Sequence, residues 1–323
     1  MKEGILSTPS PLGDPITFYK NTWTGPGSDA ILSIVAGLQG DRLNGIWVAS
    51  RLSRFLQDIE EGKEKDFQLS GTVQIFPVVN LLALESARQS WSFDNLDMDL
   101  AFPGSELGDL NEKIREALVR HSKDSTYGII LQTGDTHYED FPHLQVLEPN
   151  RHLRRTACLF GLKLCRCVNN HPALNLSLVN QWRQNGVQSV IVSAGSSQTI
   201  NHEFGNLTFT SVLNFMTGAG FLKHPGQNDE TVETKFYNPE NQLWLTASKA
   251  GLFRPDVPVG TTLEKGQRVG ELTDIYNGKT VEELTAPEGG ILVSMRTYPL
   301  VYQQESVAVI LTERKQPWYW PFT

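Results

Sequence analysis

The stretch "DAILSIVAGLQGDRLNGIWVASRLSRFLQDI" (residues 29–59) decides how this chain is read. Its first part, "DAILSIVAGL", is a near-continuous apolar run of strand length, the pattern of a strand buried on both faces. From Ile46 to Ile59 the period changes. Val48, Leu52, Phe55, Leu56 and Ile59 recur at helical spacing and give one apolar face. Between the two lies a loop bracketed by glycines, whose polar side chains are Gln39, Asp41, Arg42 and Asn44. A strand, a glycine-bounded loop and a helix form the repeating unit of open α/β sheets, which bind ligands at the carboxyl ends of their strands.

The same alternation continues outward. "GTVQIFPVVN", "YGIILQTG" and "VQSVIVSAG" read as further strands, while "ELGDLNEKIREALVRHS", "LSLVNQWRQNG" and "SVLNFMTGAGFL" read as helices. The expected fold class is therefore α/β, a mostly parallel or mixed sheet with helices on both faces, spanning residues 1–226. The loops that matter follow Leu38, Asn80, Leu131 and Ser193. After about Gln227 the runs shorten, Gly and Pro punctuate them, and helical periodicity is lost. Residues 227–323 are expected to form a small all-β, barrel-like domain. Its aromatic end, "KQPWYWPFT", is expected to pack against something, since exposing two Trp, a Tyr and a Phe would be costly.

The chain has 323 residues and a net charge of −8, which argues against a nucleic-acid or anionic-membrane surface. No apolar run is long enough to span a bilayer, and the N-terminus lacks a signal-peptide pattern, so a cytoplasmic location is the expectation. Cys158, Cys165 and Cys167 do not describe a disulfide framework, which suits a reducing compartment. With His171 they spell a zinc-like spacing. However, Cys alternating with Leu and Val fits buried packing better than ligation.

The order of motifs resembles the succinylglutamate desuccinylase/aspartoacylase family, deacylases with the zinc-carboxypeptidase fold. "GLQGDRLNG" is similar to the family's G-x-H-G-D-E-x-x-G loop, and "PVVNLLALESAR" to its N-P-x-A-L segment with a downstream Arg. "DMDLAFPG" is similar to its D-L-N-R-x-F-P-G, and "ILQTGDTHYEDFPHLQV" to its D-L-H-T-G strand end. "NGVQSVIVSAGSSQTINHE" is similar to its G-I-P-x-x-T-V-E-x-G-G segment. The terminal domain looks like the family's appended β barrel.

The resemblance implies a zinc ion held by two His and one Glu, a catalytic Glu, and an Arg that grips a substrate carboxylate. At those places this chain carries Gln39 and Gln132 for the His pair, Arg42 for the zinc Glu and Ser193 for the catalytic Glu. Asp99 and Leu100 replace the Asn-Arg pair. Neutral amides are poor zinc ligands. A guanidinium about 4 Å from a metal would repel each of its unit charges by roughly 4 kcal/mol at an effective dielectric of 20. No cofactor is therefore expected.

The reading that follows is a homologue without the zinc site, retained to bind or sense a small, anionic N-acyl amino acid or peptide-like ligand. Its candidate contacts are Gln39, Asp41, Arg42, Asn44, Arg88, Gln132 and His137. Arg42 is expected to pair with Asp41, Asp99 or another carboxylate, while Asp41 and Asn44 also suit a loop that caps the next helix. One alternative is an active amide hydrolase with a metal relocated to the loop carrying Asp135, His137, Glu139, Asp140 and His143. Another is a structural partner of an intact family member, and assembly with its own copies is also open. "VSAGSS" lacks the G-x-S-x-G elbow of serine hydrolases.

Overall fold

A computed structural model describes residues 2–224 and 232–313. The "KQPWYWPFT" tail and residues 225–231, where the two expected domains would meet, lie outside the described residues.

Four parallel strands form the centre of the main sheet. Ile31–Ala36 pairs in parallel with Gly71–Phe76 on one side and Tyr127–Gln132 on the other, and Tyr127–Gln132 pairs in turn with Gln188–Ser196. The expected α/β architecture is present. Residues on alternate sides of each strand feed two cores. Leu32, Ile34 and Ala36 pack on one face with Val48, Leu52 and Leu56 of the Leu43–Glu60 helix and Val212 and Phe215 of the His202–Gly218 helix. Val35 and Ile130 face the opposite core, with Ile114 and Leu118 of the Leu110–Ser122 helix and the fully buried Trp182. Asp109 caps the Leu110–Ser122 helix in a reciprocal box with Glu112, as the "GDLNE" sequence allows.

Two features differ from the sequence reading. The N-terminal residues form a hairpin, Lys2–Pro9 with Pro15–Gly25, that extends the sheet edge antiparallel to Gly71–Phe76. Its half-exposed strands lack a clear alternation, so the pattern was weak. Second, "YEDFPHLQVL" is not loop but a ten-residue strand, Tyr138–Leu147, antiparallel to Gln188–Ser196. Pro142 obscured it. Proline is tolerated in a sheet at irregularities, and the register shifts between Asp140 and His143.

That strand joins the two parts of the molecule. Gly290–Arg296 pairs antiparallel with it, through Ser294 and Asp140, and brings Ser306–Leu311 and Gln242–Thr246 into the same sheet. Four other C-terminal strands form an antiparallel sheet around Phe253, Val269, Leu272 and Val301. Phe141 and Phe204 of the α/β part pack against this β core. Among the described residues, no helix is long and apolar enough to cross a membrane.

Gly40 in the loop and Gly45 in the first turn of the Leu43–Glu60 helix are required by close backbone approach. A Cβ on Gly40 would lie 2.2 Å from the carbonyl carbon of Ala83, and one on Gly45 would lie 2.5 Å from the carbonyl oxygen of Leu131. Backbone cannot retreat as a flexible side chain can. Gly40→Ala and Gly45→Ala are each expected to lower the unfolding free energy by about 2 kcal/mol or more in urea titrations. Changes within about 0.5 kcal/mol would contradict this packing.

Candidate functional site

The carboxyl ends of the parallel strands open onto a cavity of about 450 Å³. One wall comes from the α/β part. Gln39 and Arg42 project from the loop after Ile31–Ala36, Asp97 and Asp99 from the short turn at Met98–Leu100, and Gln132, Thr133 and Asp135 from the end of Tyr127–Gln132. The other wall is β structure: Tyr138, Asp140 and Gln145 from one strand, Arg166 from Leu164–Val168, then Trp244, Ser294 and Val309 from the C-terminal strands. The C-terminal strands thus contribute Trp244, Ser294 and Val309 to the lining.

Arg42 is buried and fully committed. Its Nη2 donates to Asp135 Oδ1 at 2.9 Å and its Nη1 to Thr133 Oγ1 at 3.3 Å, while Nε lies 3.5 Å from Asp41 Oδ1. The pairing expected of Arg42 is therefore with Asp135 and Asp41 rather than with Asp99. Asp41 is also buried, and burial raises its carboxyl pKa, with Arg42 pulling it back down. Asp41 does not cap the helix. The cap position is Arg42, with no side-chain capping bond. Asn44 does not cap it either. Its Nδ2 donates to the Ala194 carbonyl at 3.0 Å and ties the helix start to a neighbouring strand.

Gln39 donates from Nε2 to Asp97 Oδ1 at 3.1 Å. The same Asp97 oxygen accepts the Asp99 amide, so the turn holds two carboxylates side by side. Asp99 is the strongly perturbed acid of the cavity. Burial pushes its pKa up to about 7, and Asp97 adds to the rise. The Leu178 amide, the Gln132 side chain and Arg42 act in the opposite direction. Ser193 does not line the cavity. Its hydroxyl is buried and donates to Asp140 Oδ2 at 2.6 Å.

Two expected contacts fall elsewhere. Arg88 is exposed and outside the cavity lining, and its neighbour Gln89 takes that place. His137 is also exposed, at a positive φ of 72°, with its ring stacked on Tyr298 at 4.5 Å. His143, Glu139 and Asp140 are strand residues, separated by the pleat and the register shift. His143 is fully buried; burial lowers its pKa, against the pull of Asp140. Cys165 and Cys167 are buried in a strand while Cys158 is exposed in a helix. Among the described residues, no three His, Cys, Asp or Glu side chains form a grouping that could hold a metal ion.

Sequence reasoning missed Arg166 and Trp244; it quoted Asp97 only within a motif, and it saw Asp99 as a departure from that motif and a possible partner of Arg42. For Arg166 a signal existed. In "LCRCV" the buried Cys165 and Cys167 flank it, so strand alternation sends Arg166 to the opposite face, the one that meets the cavity.

Comparison with known structures gives high similarity over almost the whole chain. A succinylglutamate desuccinylase/aspartoacylase from Rhodobacter sphaeroides matches with a TM-score of 0.78 at 17% identity, covering 97% of this chain and 96% of that one. A succinylglutamate desuccinylase from Silicibacter sp. TM1040 matches with a TM-score of 0.79 at 16% identity, covering 96% and 94%. This chain has the succinylglutamate desuccinylase/aspartoacylase fold. The product-bound ectoine utilization protein EutE (DoeB) of Ruegeria pomeroyi shares it, with a TM-score of 0.78, 16% identity and 95% and 93% coverage. In sequence, the chain is 25% identical over 309 residues to an N-alpha-acetyl-L-2,4-diaminobutyric acid deacetylase of Halomonas elongata, covering 92% of this chain and 84% of that protein. No family model matches the sequence.

The state of Asp99 yields a pH signature. An Asp in the unfolded chain titrates near about 3.9. Because the folded pKa is raised, the folded state binds the extra proton between that value and about 7, and stability falls as pH rises through this window. Asp99→Asn is therefore expected to raise the unfolding free energy by about 1–3 kcal/mol at pH 8, with the gain shrinking to nothing near pH 4. Urea denaturation at the two pH values measures it. An equal effect at both would contradict a buried, proton-retaining Asp99.

Proposed function

We propose that this chain is a deacylase homologue that binds a small N-acyl amino acid or peptide-like ligand in its cavity without hydrolysing it through zinc. The observation that carries the reading is the state of Arg42. At the place where the resemblance calls for a zinc carboxylate stands a buried guanidinium, bonded to Asp135 and Thr133 and close to Asp41. The donor set around it does not fit zinc. Gln39 turns its amide N–H toward Asp97, Gln132 is a second neutral amide, and Arg42 presents only N–H donors and a permanent charge. Structural zinc is held by about 10–16 kcal/mol through deprotonated thiolates or neutral imidazoles, and two amides offer nothing comparable. Ser193 offers no carboxylate to move a proton, and its hydroxyl is engaged by Asp140.

One observation favours a second reading. The Halomonas elongata relative is a deacetylase by name and aligns with 92% of this chain. On that reading the chain is a working amide hydrolase whose chemistry differs from the zinc mechanism. Pairing with its own copies or with an intact homologue is compatible with either reading.

Elemental analysis of protein purified without chelator, together with turnover of a panel of N-acetyl and N-succinyl amino acids with and without added zinc, separates the two. The binding reading expects well under one zinc per chain and no acyl release. Stoichiometric zinc or sustained turnover would overturn it. The triple change Gln39→His, Arg42→Glu, Gln132→His is expected to restore zinc binding.

A further inference from the structure

Two arginines line the cavity, and their hydrogen bonding differs sharply. Arg42 has committed all three of its nitrogens to Asp135, Thr133 and the neighbourhood of Asp41. Arg166 uses only Nε, which donates to Gln242 Oε1 at 3.0 Å. Its two terminal nitrogens make no hydrogen bond or ion pair with the described residues, although the side chain is largely buried.

The orientation of Arg166 is fixed from outside the cavity. The Gln242 amide donates to the carbonyls of Cys167 at 2.9 Å and Tyr237 at 3.1 Å, so its oxygen is left facing Arg166 Nε. Two residues along the same strand, Trp244 lies over the guanidinium at 6.0 Å from ring centroid to Cζ. Burial disfavours the charge and Asp140 supports it, but an arginine stays protonated at neutral pH. A cation held rigid by one bond and one ring, with its bidentate edge unused, is prepared for a planar anion.

We propose that Arg166 is the anion-binding residue of the cavity and that its free Nη edge grips the carboxylate of the bound ligand. This deepens the binding reading by naming the group recognised, and it rests on that reading only for the ligand class. Arg166 takes over a task that, by the family resemblance, belongs to the position now held by Leu100. It does so from the β wall of the cavity, on the side opposite the Arg42 loop. Trp244 is more than half exposed, so its fluorescence reports directly on what docks beside Arg166.

The test uses the full chain and three carboxylate or oxyanion probes, N-acetylglycine, succinate and inorganic phosphate, with neutral N-acetylglycinamide as control. Binding is followed by tryptophan emission, with Trp244→Phe identifying the local signal, and by calorimetry. At least one carboxylate is expected to bind in the millimolar range or better, and the neutral amide to bind at least tenfold more weakly. Arg166→Gln should remove that tenfold preference, and Arg166→Lys, which keeps the charge but loses the fork, should restore only part of it. Thermal unfolding of each variant checks that the fold survives. Binding unchanged in a folded Arg166→Gln, or no binding of any of the three anions by the unaltered chain, would overturn the assignment. Release of acetate from N-acetylglycine would instead defeat the non-hydrolytic reading and leave the Arg166 assignment to be decided by its effect on KM.

Discussion

The guanidinium of Arg42 and the carboxylates around it set the terms for the rest of the site. A buried, permanent cation at the carboxyl ends of the strands must be answered by nearby negative charge, and Asp135 at 2.9 Å and Asp41 at 3.5 Å supply it. The Asp135 side chain is 78% exposed, so water screens that pair, whereas Asp41 is buried with the guanidinium. The buried Asp41 is thus the carboxylate most closely bound up with the burial of Arg42.

The neighbouring groups have their own balance of burial and charge. Burial drives Asp99 toward its neutral form, and the Leu178 amide, the Gln132 side chain and Arg42 oppose this only in part. On the far wall, Asp140 accepts the Ser193 hydroxyl and serves as the charge that acts on Arg166. The cavity is thus polar and carries both signs of charge, with its positive groups on opposite walls. Its second wall exists because the Tyr138–Leu147 strand pairs on one edge with the α/β sheet and on the other with the C-terminal strands. The β structure is part of the site, not an appendage to it.

Much of the fold was legible in residues 29–59. A doubly buried strand, a glycine loop and a one-faced helix leave few arrangements other than a parallel α/β sheet, and the later strands repeat the signal. The short motifs identified the fold because their glycines answer to backbone contacts that no side chain would permit, at Ala83 and Leu131. The N-terminal hairpin was hidden by its half-exposed strands, and the Tyr138–Leu147 strand by Pro142 and a run of polar residues. The site was legible only on the wall built from those motifs. Gln39, Arg42 and Gln132 line the cavity, whereas Arg88 and His137 are exposed outside it. Arg166 and Trp244 are 78 positions apart in sequence and meet only through strand pairings that no local pattern encodes.

The most direct test of the central claim is a crystal soaked in zinc and measured at the zinc absorption edge. The proposed reading, with Arg42 where the family resemblance calls for a zinc ligand, predicts no anomalous peak within coordinating reach of Gln39, Arg42 and Gln132, with Arg42 still bonded to Asp135. A fully occupied peak touching those side chains would contradict the account.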